Sequence, residues 1–251
     1  MIISIANNKG GTGKTTTAVN LGAALAFNDF DCFVPRNGVL EVDLDPQGNL
    51  SINLGVEMDE LSQTIYDVLL NPESIPLSQV IITDLSFDMD LAPANIDLSG
   101  ATVELMIVQG RETILSKALS PVKNSYDFIL IDCPPNLGLL TLNALTAADL
   151  VIVPVQTEYL AMRSIKELTE IIDKVKERTN QSYILLYSKS NRRSGESSVR
   201  ATSRAPHQDK QIRIDAHCYR IAHKRIRGKS KRVRSLRRTE ASPMPLKRLV
   251  G

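Results

Sequence analysis

Residues 9–16, Lys9-Gly10-Gly11-Thr12-Gly13-Lys14-Thr15-Thr16, have the types and spacing of a phosphate-binding loop. Glycines at 10, 11 and 13 let backbone N–H groups turn inward around phosphate oxygens, while Lys14 adds a point charge and Thr15 offers a hydroxyl to Mg²⁺. Thr12 and Thr16 belong to the same cradle. The general G-x-x-x-x-G-K-[ST] pattern asks for a glycine where this chain has Asn8, so the loop is a variant that carries a second lysine, Lys9. Two further places supply carboxylates. Asp43 and Asp45 follow an apolar run at 39–42, on one side of an extended segment, so both can face Mg²⁺ or an attacking water. Asp132 ends the apolar run Phe128-Ile129-Leu130-Ile131, the arrangement that holds the water shell of Mg²⁺ in phosphate-loop NTPases.

A phosphate loop works only between a strand and a helix. Ile2, Ile3 and Ile5 form a short buried strand, and residues 16–27 carry Val19, Leu21, Ala23, Leu25 and Ala26 at helical spacing. The loop thus sits at a helix N-terminus, where the macrodipole and unpaired amides favour an anion. Further along, the pattern predicts helices at 62–70, 101–108, 111–119, 139–147 and 161–178. It predicts strands at 39–42, 91–94, 128–132, 150–155 and 183–187. Cys133-Pro134-Pro135 ends the strand at 128–132, and Cys133 reads as a small buried filler. Alternation of strand and helix predicts an α/β fold: a three-layer, mostly parallel, doubly wound sheet with ligands at the C-terminal strand ends.

The chain has 251 residues, enough for one sizeable core, and 43% hydrophobic content is ordinary for such a domain. No apolar run reaches the roughly 18 residues that span a bilayer, and the first strand begins at once, so a cytoplasmic protein is expected. Three widely separated cysteines without C-x-x-C spacing suggest neither a disulfide framework nor a zinc site. The net charge of +2 conceals an asymmetry: residues 1–186 hold 11 Lys and Arg against 24 Asp and Glu, a balance of −13, and residues 187–251 hold 19 against 4, a balance of +15. Such a split predicts an acidic globular domain at 1–186 and a basic C-terminal segment at 187–251.

The assembled motifs resemble the ParA/Soj partition ATPases, within the ParA/Soj/MinD group that carries a deviant phosphate loop. The match includes KGGTGKTTTAVNLGAALA from Lys9, VDLDPQGNL from Val42, PANIDLSGATVEL from Pro93 and YDFILIDCPPNLGLLTLNALTAADLVIVPVQTEYLA from Tyr126, and covers about residues 1–186. The resemblance implies that Lys9 reaches across an ATP-bound homodimer to the partner's phosphates, and that Lys14 binds phosphate within its own subunit. It implies Thr15 as a Mg²⁺ ligand, Asp43 and Asp132 as outer-shell carboxylates, and Asp45 as the residue that orients or activates the hydrolytic water. ATP and Mg²⁺ are the implied cofactors, non-specific DNA and a ParB-like stimulating protein the implied partners. Localisation on the nucleoid follows from the same resemblance, and no stable membrane association is expected because the C-terminal segment lacks the apolar face of a membrane-targeting amphipathic helix.

Two regions depart from the family pattern. Residues 29–40 replace a short turn with Asp31-Cys32-Phe33-Val34-Pro35-Arg36-Asn37-Gly38, and Glu41 stands inside an apolar strand. A longer surface connection is tolerable, because doubling a loop costs about 0.6 kcal/mol. After about Tyr187 there is no counterpart to the family's adenine-contacting segment and closing helices; basic pairs such as Arg192-Arg193 and Lys231-Arg232 stand there without a sustained period. That segment is expected to be disordered or weakly helical. It reads as a nucleic-acid-binding tail, as a frame-shifted or degenerate terminus, or as a segment for a ribosomal or membrane surface. The leading function is an ATP-dependent dimerising switch for partitioning a chromosome or plasmid. The alternative is a catalytically defective DNA-binding or scaffold protein with an incomplete nucleotide site.

Overall fold

The computed structural model describes residues 1–27, 38–83, 85, 88–156, 161–178, 185–190 and 197–202. β1 (Ile2–Ile5) leads through the glycine-rich loop into α1 (Lys14–Phe27), and β2 (Val39–Asp43) is followed by the short α2 (Asn49–Asn53). Then come α3 (Ile65–Leu70), α4 (Leu77–Val80), β3 (Met89–Ala92), α5 (Leu98–Glu104) and α6 (Ile114–Leu119). β4 (Phe128–Asp132), α7 (Leu139–Ala147), β5 (Leu150–Gln156), α8 (Ala161–Arg178), β6 (Leu185–Ser190) and β7 (Ser197–Thr202) complete the order. One sheet holds the strands in the order β3-β2-β4-β1-β5-β6-β7, with every pair parallel except β6 and β7. The mostly parallel α/β expectation therefore holds.

Alternation along each strand divides the core into two faces, as parallel strands covered on both sides require. Leu40, Val42, Ile129, Ile131, Val151 and Val153 pack with α3, α5, α6, α7 and α8. Ile3, Ile5, Val39, Leu130, Leu150 and Ile152 turn the other way, against Ala18, Val19 and Ala23 of α1, Leu50 of α2 and Leu54, which caps α2. Glu41 shares this second face, because it lies between Leu40 and Val42, which point to the first. The outer rim of β3 carries one antiparallel bridge, with Ile82 and Leu91 exchanging both backbone hydrogen bonds (2.8 and 2.9 Å).

Several boundaries differ from the sequence reading. The strand expected at 91–94 lies at Met89–Ala92, because Pro93 has no N–H to donate and the Ala94 amide turns to the Ser51 hydroxyl (3.4 Å). The helix expected from 62 begins at Ile65, where Thr64 and Asp67 form a capping box. That expected at 101–108 begins earlier, at Leu98, and finishes as a 3-10 turn over Leu105–Ile107. Likewise 111–119 opens with a 3-10 turn at Arg111–Thr113.

The C-terminal reading needs a larger correction. A disordered or weakly helical segment does not describe residues 197–202, which form β7 and pair antiparallel with β6, from Leu185↔Thr202 to Ser190↔Ser197. β6 itself runs past residue 186 to Ser190, so the sheet does not stop where the charge balance changes. Residues 203–251, most of the unusual 29–40 connection and residues 183–184 lie outside the described residues. Among the described residues no helix is long and apolar enough to cross a membrane.

Candidate nucleotide site

β1, β4 and β2 are neighbours in the sheet, and their C-terminal ends are in register: Ile5 pairs with Asp132, and Asp132 with Asp43. This brings the loop after β1 beside both strand-end carboxylates, at the edge where open α/β sheets place ligands. The loop adopts the geometry its glycines allow. Gly11 (φ 71°) and Gly13 (φ 92°) lie in the left-handed region, with open space where a side chain would project, and the Thr17 amide bonds the Gly13 carbonyl (2.8 Å) to start α1. Gly10, Gly11 and Thr16 are exposed, whereas Thr12, Gly13 and Thr15 are half-buried.

Lysines 9 and 14 are placed differently. Lys14, on the first turn of α1, is buried to 7% exposure, and its ammonium donates to the Lys9 carbonyl at the long distance of 3.4 Å. Burial lowers its pKa, while Asp132 first, and then Cys133 and Asp45, pull it back up. The same Lys9 carbonyl accepts from the Thr12 hydroxyl (3.3 Å), and the Lys9 amide donates to Asn7 Oδ1 (3.0 Å). Lys9 itself is half-buried at the mouth of the site.

The carboxylates divide by their partners. Asp43 is fully buried: its Oδ1 accepts from the Asp45 amide (3.1 Å), and its Oδ2 accepts from the Ser51 amide (3.0 Å) and hydroxyl (2.8 Å). It therefore ties the start of α2 to the end of β2. Burial raises its pKa to about 6, against the lowering effect of those donors. Asp132 is equally buried, and neither oxygen has a hydrogen-bond partner of good geometry within the protein. Burial pushes it up to about 7; the nearby Thr15 hydroxyl and Lys14 ammonium lower it, and Asp43 raises it. Asp45 stands at the next turn, with its Oδ1 accepting from the Gln47 amide (3.0 Å). The Cys133 thiol is buried 3.3 Å from the Ser4 hydroxyl and pushed up to about 12 by burial, which agrees with a filler rather than a nucleophile.

Two inward carboxylates on adjacent strands repel each other, and a dication beside them would relieve that repulsion. Among the described residues no group of three metal-ligating side chains forms a complete cage. The donor set suits a Mg²⁺ that takes oxygens from phosphate and water, with one hydroxyl and one or two carboxylates from the protein. Thr15 and the orphaned Asp132 fit such an ion; Asp43, with its donors already supplied, fits the outer position.

The site also contains residues that the motifs did not indicate. Ser51 bridges Asp43 to Ala94, joining β2 to the segment after β3. Asn7 donates to the Pro154 carbonyl of β5 (2.7 Å), and Asn8 donates to Glu167 of α8 (3.0 Å). A serine eight residues beyond a strand-end aspartate offers a weak signal, and a glutamate 159 positions from its partner offers none.

The family profile for the AAA domain matches residues 1–185. Sporulation initiation inhibitor protein Soj of Bacillus subtilis is 44% identical over 184 residues, covering 73% of this chain and 69% of that protein. Chromosome partitioning protein ParA of Myxococcus xanthus is 48% identical over 180 residues, covering 71% of this chain and 60% of that one. An uncharacterized protein of Mycobacterium tuberculosis is 46% identical, with 54% of its length covered, so the chain spans about half to two thirds of these relatives. Among solved structures, cobyrinic acid a,c-diamide synthase of Mycobacterium smegmatis with bound ATP analog and magnesium is 40% identical. It superposes with a TM-score of 0.69 over 77% of each chain. A putative plasmid partition protein of Borrelia burgdorferi bound to AMPPNP is 25% identical, with a TM-score of 0.61 over 77% of this chain and 78% of that one.

Proposed function

Because the chain belongs to the ParA/Soj family of partition ATPases, we propose that it is an ATP-dependent dimerising switch that moves a chromosome or plasmid. The observation that carries this reading is one juxtaposition. The buried Lys14, the orphaned Asp132 and the turn of Asp45 meet at the N-terminus of α1, on three adjacent strand ends. Backbone amides of residues 10–16 and the Lys14 ammonium bind the nucleotide's phosphates, and the α1 dipole favours the same charge. Thr15, Asp132 and Asp43 would hold Mg²⁺, which would neutralise phosphate charge. Asp45 orients the hydrolytic water, or accepts a proton from it. Lys9, supplied by a partner copy, cancels charge developing on the transferring phosphoryl group, so hydrolysis depends on pairing.

Two nucleotides are then sandwiched in a homodimer that binds DNA without sequence preference, and a ParB-like protein stimulates hydrolysis and release. ATP shifts the population by direct contact with the dimer face, which is the differential affinity a switch requires. The basic residues after 187 supply a salt-dependent attraction to phosphates. Localisation on the nucleoid in the cytoplasm, without stable membrane association, is part of the same proposal.

Size-exclusion chromatography with light scattering, in a non-hydrolysable ATP analogue and Mg²⁺, tests it. The wild-type chain forms dimers, Lys14→Ala binds no nucleotide and stays monomeric, and Lys9→Ala binds nucleotide without pairing. A Lys9→Ala chain that dimerises like wild type removes the sandwich. The alternative, a DNA-binding or scaffold protein that does not turn over, draws on the sequence after about Tyr187, which has no counterpart to the family's adenine-contacting segment. Mg²⁺-dependent phosphate release from the full chain separates the two readings.

A further inference from the structure

The residues just before the glycine-rich loop are fastened to two different elements. Asn7, at 5% exposure, reaches the Pro154 carbonyl of β5 through its amide nitrogen, and its Oδ1 takes the Lys9 amide. Asn8 turns instead to α8, donating from Nδ2 to Glu167 Oε2 at 3.0 Å. The residue after Glu167 is Leu168, which with Ile172 and Val175 is buried in the core between α8 and the sheet. Glu167 therefore sits where the packed face of α8 meets the loop, at a height set by Leu168. This hydrogen bond lies at the exposed rim of the loop and spans 159 residues of chain.

What Asn8 holds is the peptide that leads into Lys9. The Lys9 carbonyl receives both the Lys14 ammonium and the Thr12 hydroxyl, so the direction of that carbonyl sets where the ammonium rests. That carbonyl lies in the next peptide, Lys9–Gly10, so a shift of Asn8 that turned the Lys9 backbone would swing it and release both donors. We propose that Glu167 is a positioning residue for the phosphate loop, acting through Asn8 to fix the Lys9 peptide against which the Lys14 ammonium is set. Glu167 does not touch the phosphates; it makes the loop's shape depend on the seating of α8. The inference rests on the nucleotide-binding reading of that loop.

Nucleotide affinity of the full-length chain, measured with a fluorescent ATP analogue and Mg²⁺, tests it in a double-mutant cycle. Glu167→Ala and Asn8→Ala each weaken binding about 3- to 10-fold, the range expected for one charge-assisted hydrogen bond. The double variant is no weaker than either single one. Glu167→Gln, whose side-chain oxygen still accepts from Asn8, stays within about twofold of wild type. A loss of packing alone would be additive with Asn8→Ala, whereas glutamine, which matches glutamate in size, reports on whether the charge itself is needed. Glu167→Ala binding as tightly as wild type overturns the proposal, as do additive single effects. If wild type itself binds no nucleotide, the reading of the loop fails along with it; if wild type binds and Lys14→Ala does not, the outcome at Glu167 concerns the positioning alone.

Discussion

Both oxygens of the Glu41 carboxylate are buried without a hydrogen-bond partner, on the face of β2 that packs against α1. The neighbour that makes room is Gly22: a Cβ there would run into the Glu41 carboxylate and come within 2.7 Å of the Met89 sulfur. Desolvation raises the pKa of Glu41 well above 4.5, with Asp132 and Asp43 adding to the shift. The folded protein thus holds this proton more tightly than the unfolded chain. Stability present below pH 4.5 is lost as pH rises through the folded-state pKa. Glu41→Leu should therefore stabilise the protein by about 2 kcal/mol near neutrality, and its advantage should shrink toward pH 4.5. Urea denaturation of both proteins across that range checks the sign; a leucine variant no more stable than wild type at pH 7 counts against it. At this scale sequence reasoning identified the types but not the ties. Lys14, Asp43, Asp45 and Asp132 converge as their motifs suggested, yet that Asp43 is saturated by Ser51 while Asp132 is orphaned depends on contacts made only after folding.

Elements were legible in proportion to their length and periodicity. β4, α7 and α8 lie at the residues read from sequence, because long apolar or amphipathic runs leave little choice of phase. The five-residue α2 and four-residue α4 were not seen; such short segments carry too few apolar positions to show a period, and α2 is started by Gly48 in the left-handed conformation. Also hidden was the joint between α6 and α7. Asn143 of α7 accepts from the Leu115 amide (3.1 Å) and donates to the Arg111 carbonyl (2.8 Å) and to the Leu139 carbonyl (3.0 Å). An asparagine inside an apolar helix satisfies the backbone that opens α6. Asn143→Ala should cost about 2–3 kcal/mol, since it leaves buried backbone groups unpaired. Hydrogen exchange at the Leu115 amide should quicken more than at α8, and equal effects at both would show that the joint is not local.

For the whole molecule, the nucleotide site lies where the sheet's two apolar faces end together, so ligand binding is coupled to the folding of both. An ATP analogue with Mg²⁺ at 100 times its dissociation constant should stabilise the chain by about 2.7 kcal/mol, raising the melting midpoint by about 5–10 °C. Chelating the metal should remove most of that gain, and Lys14→Ala should show none; a shift in Lys14→Ala equal to wild type would place the ligand elsewhere. The antiparallel bridge between Ile82 and Leu91 has a consequence at this scale too. An uncovered outer strand is a template on which another copy can lay its own, and sheets left so can grow from molecule to molecule. Here the middle of β3 has both its outward groups engaged within the same chain, which closes that rim to strand exchange. At this edge, copies that associate must meet through side-chain surfaces, an attachment a bound ligand can make and unmake, rather than by adding a strand to β3.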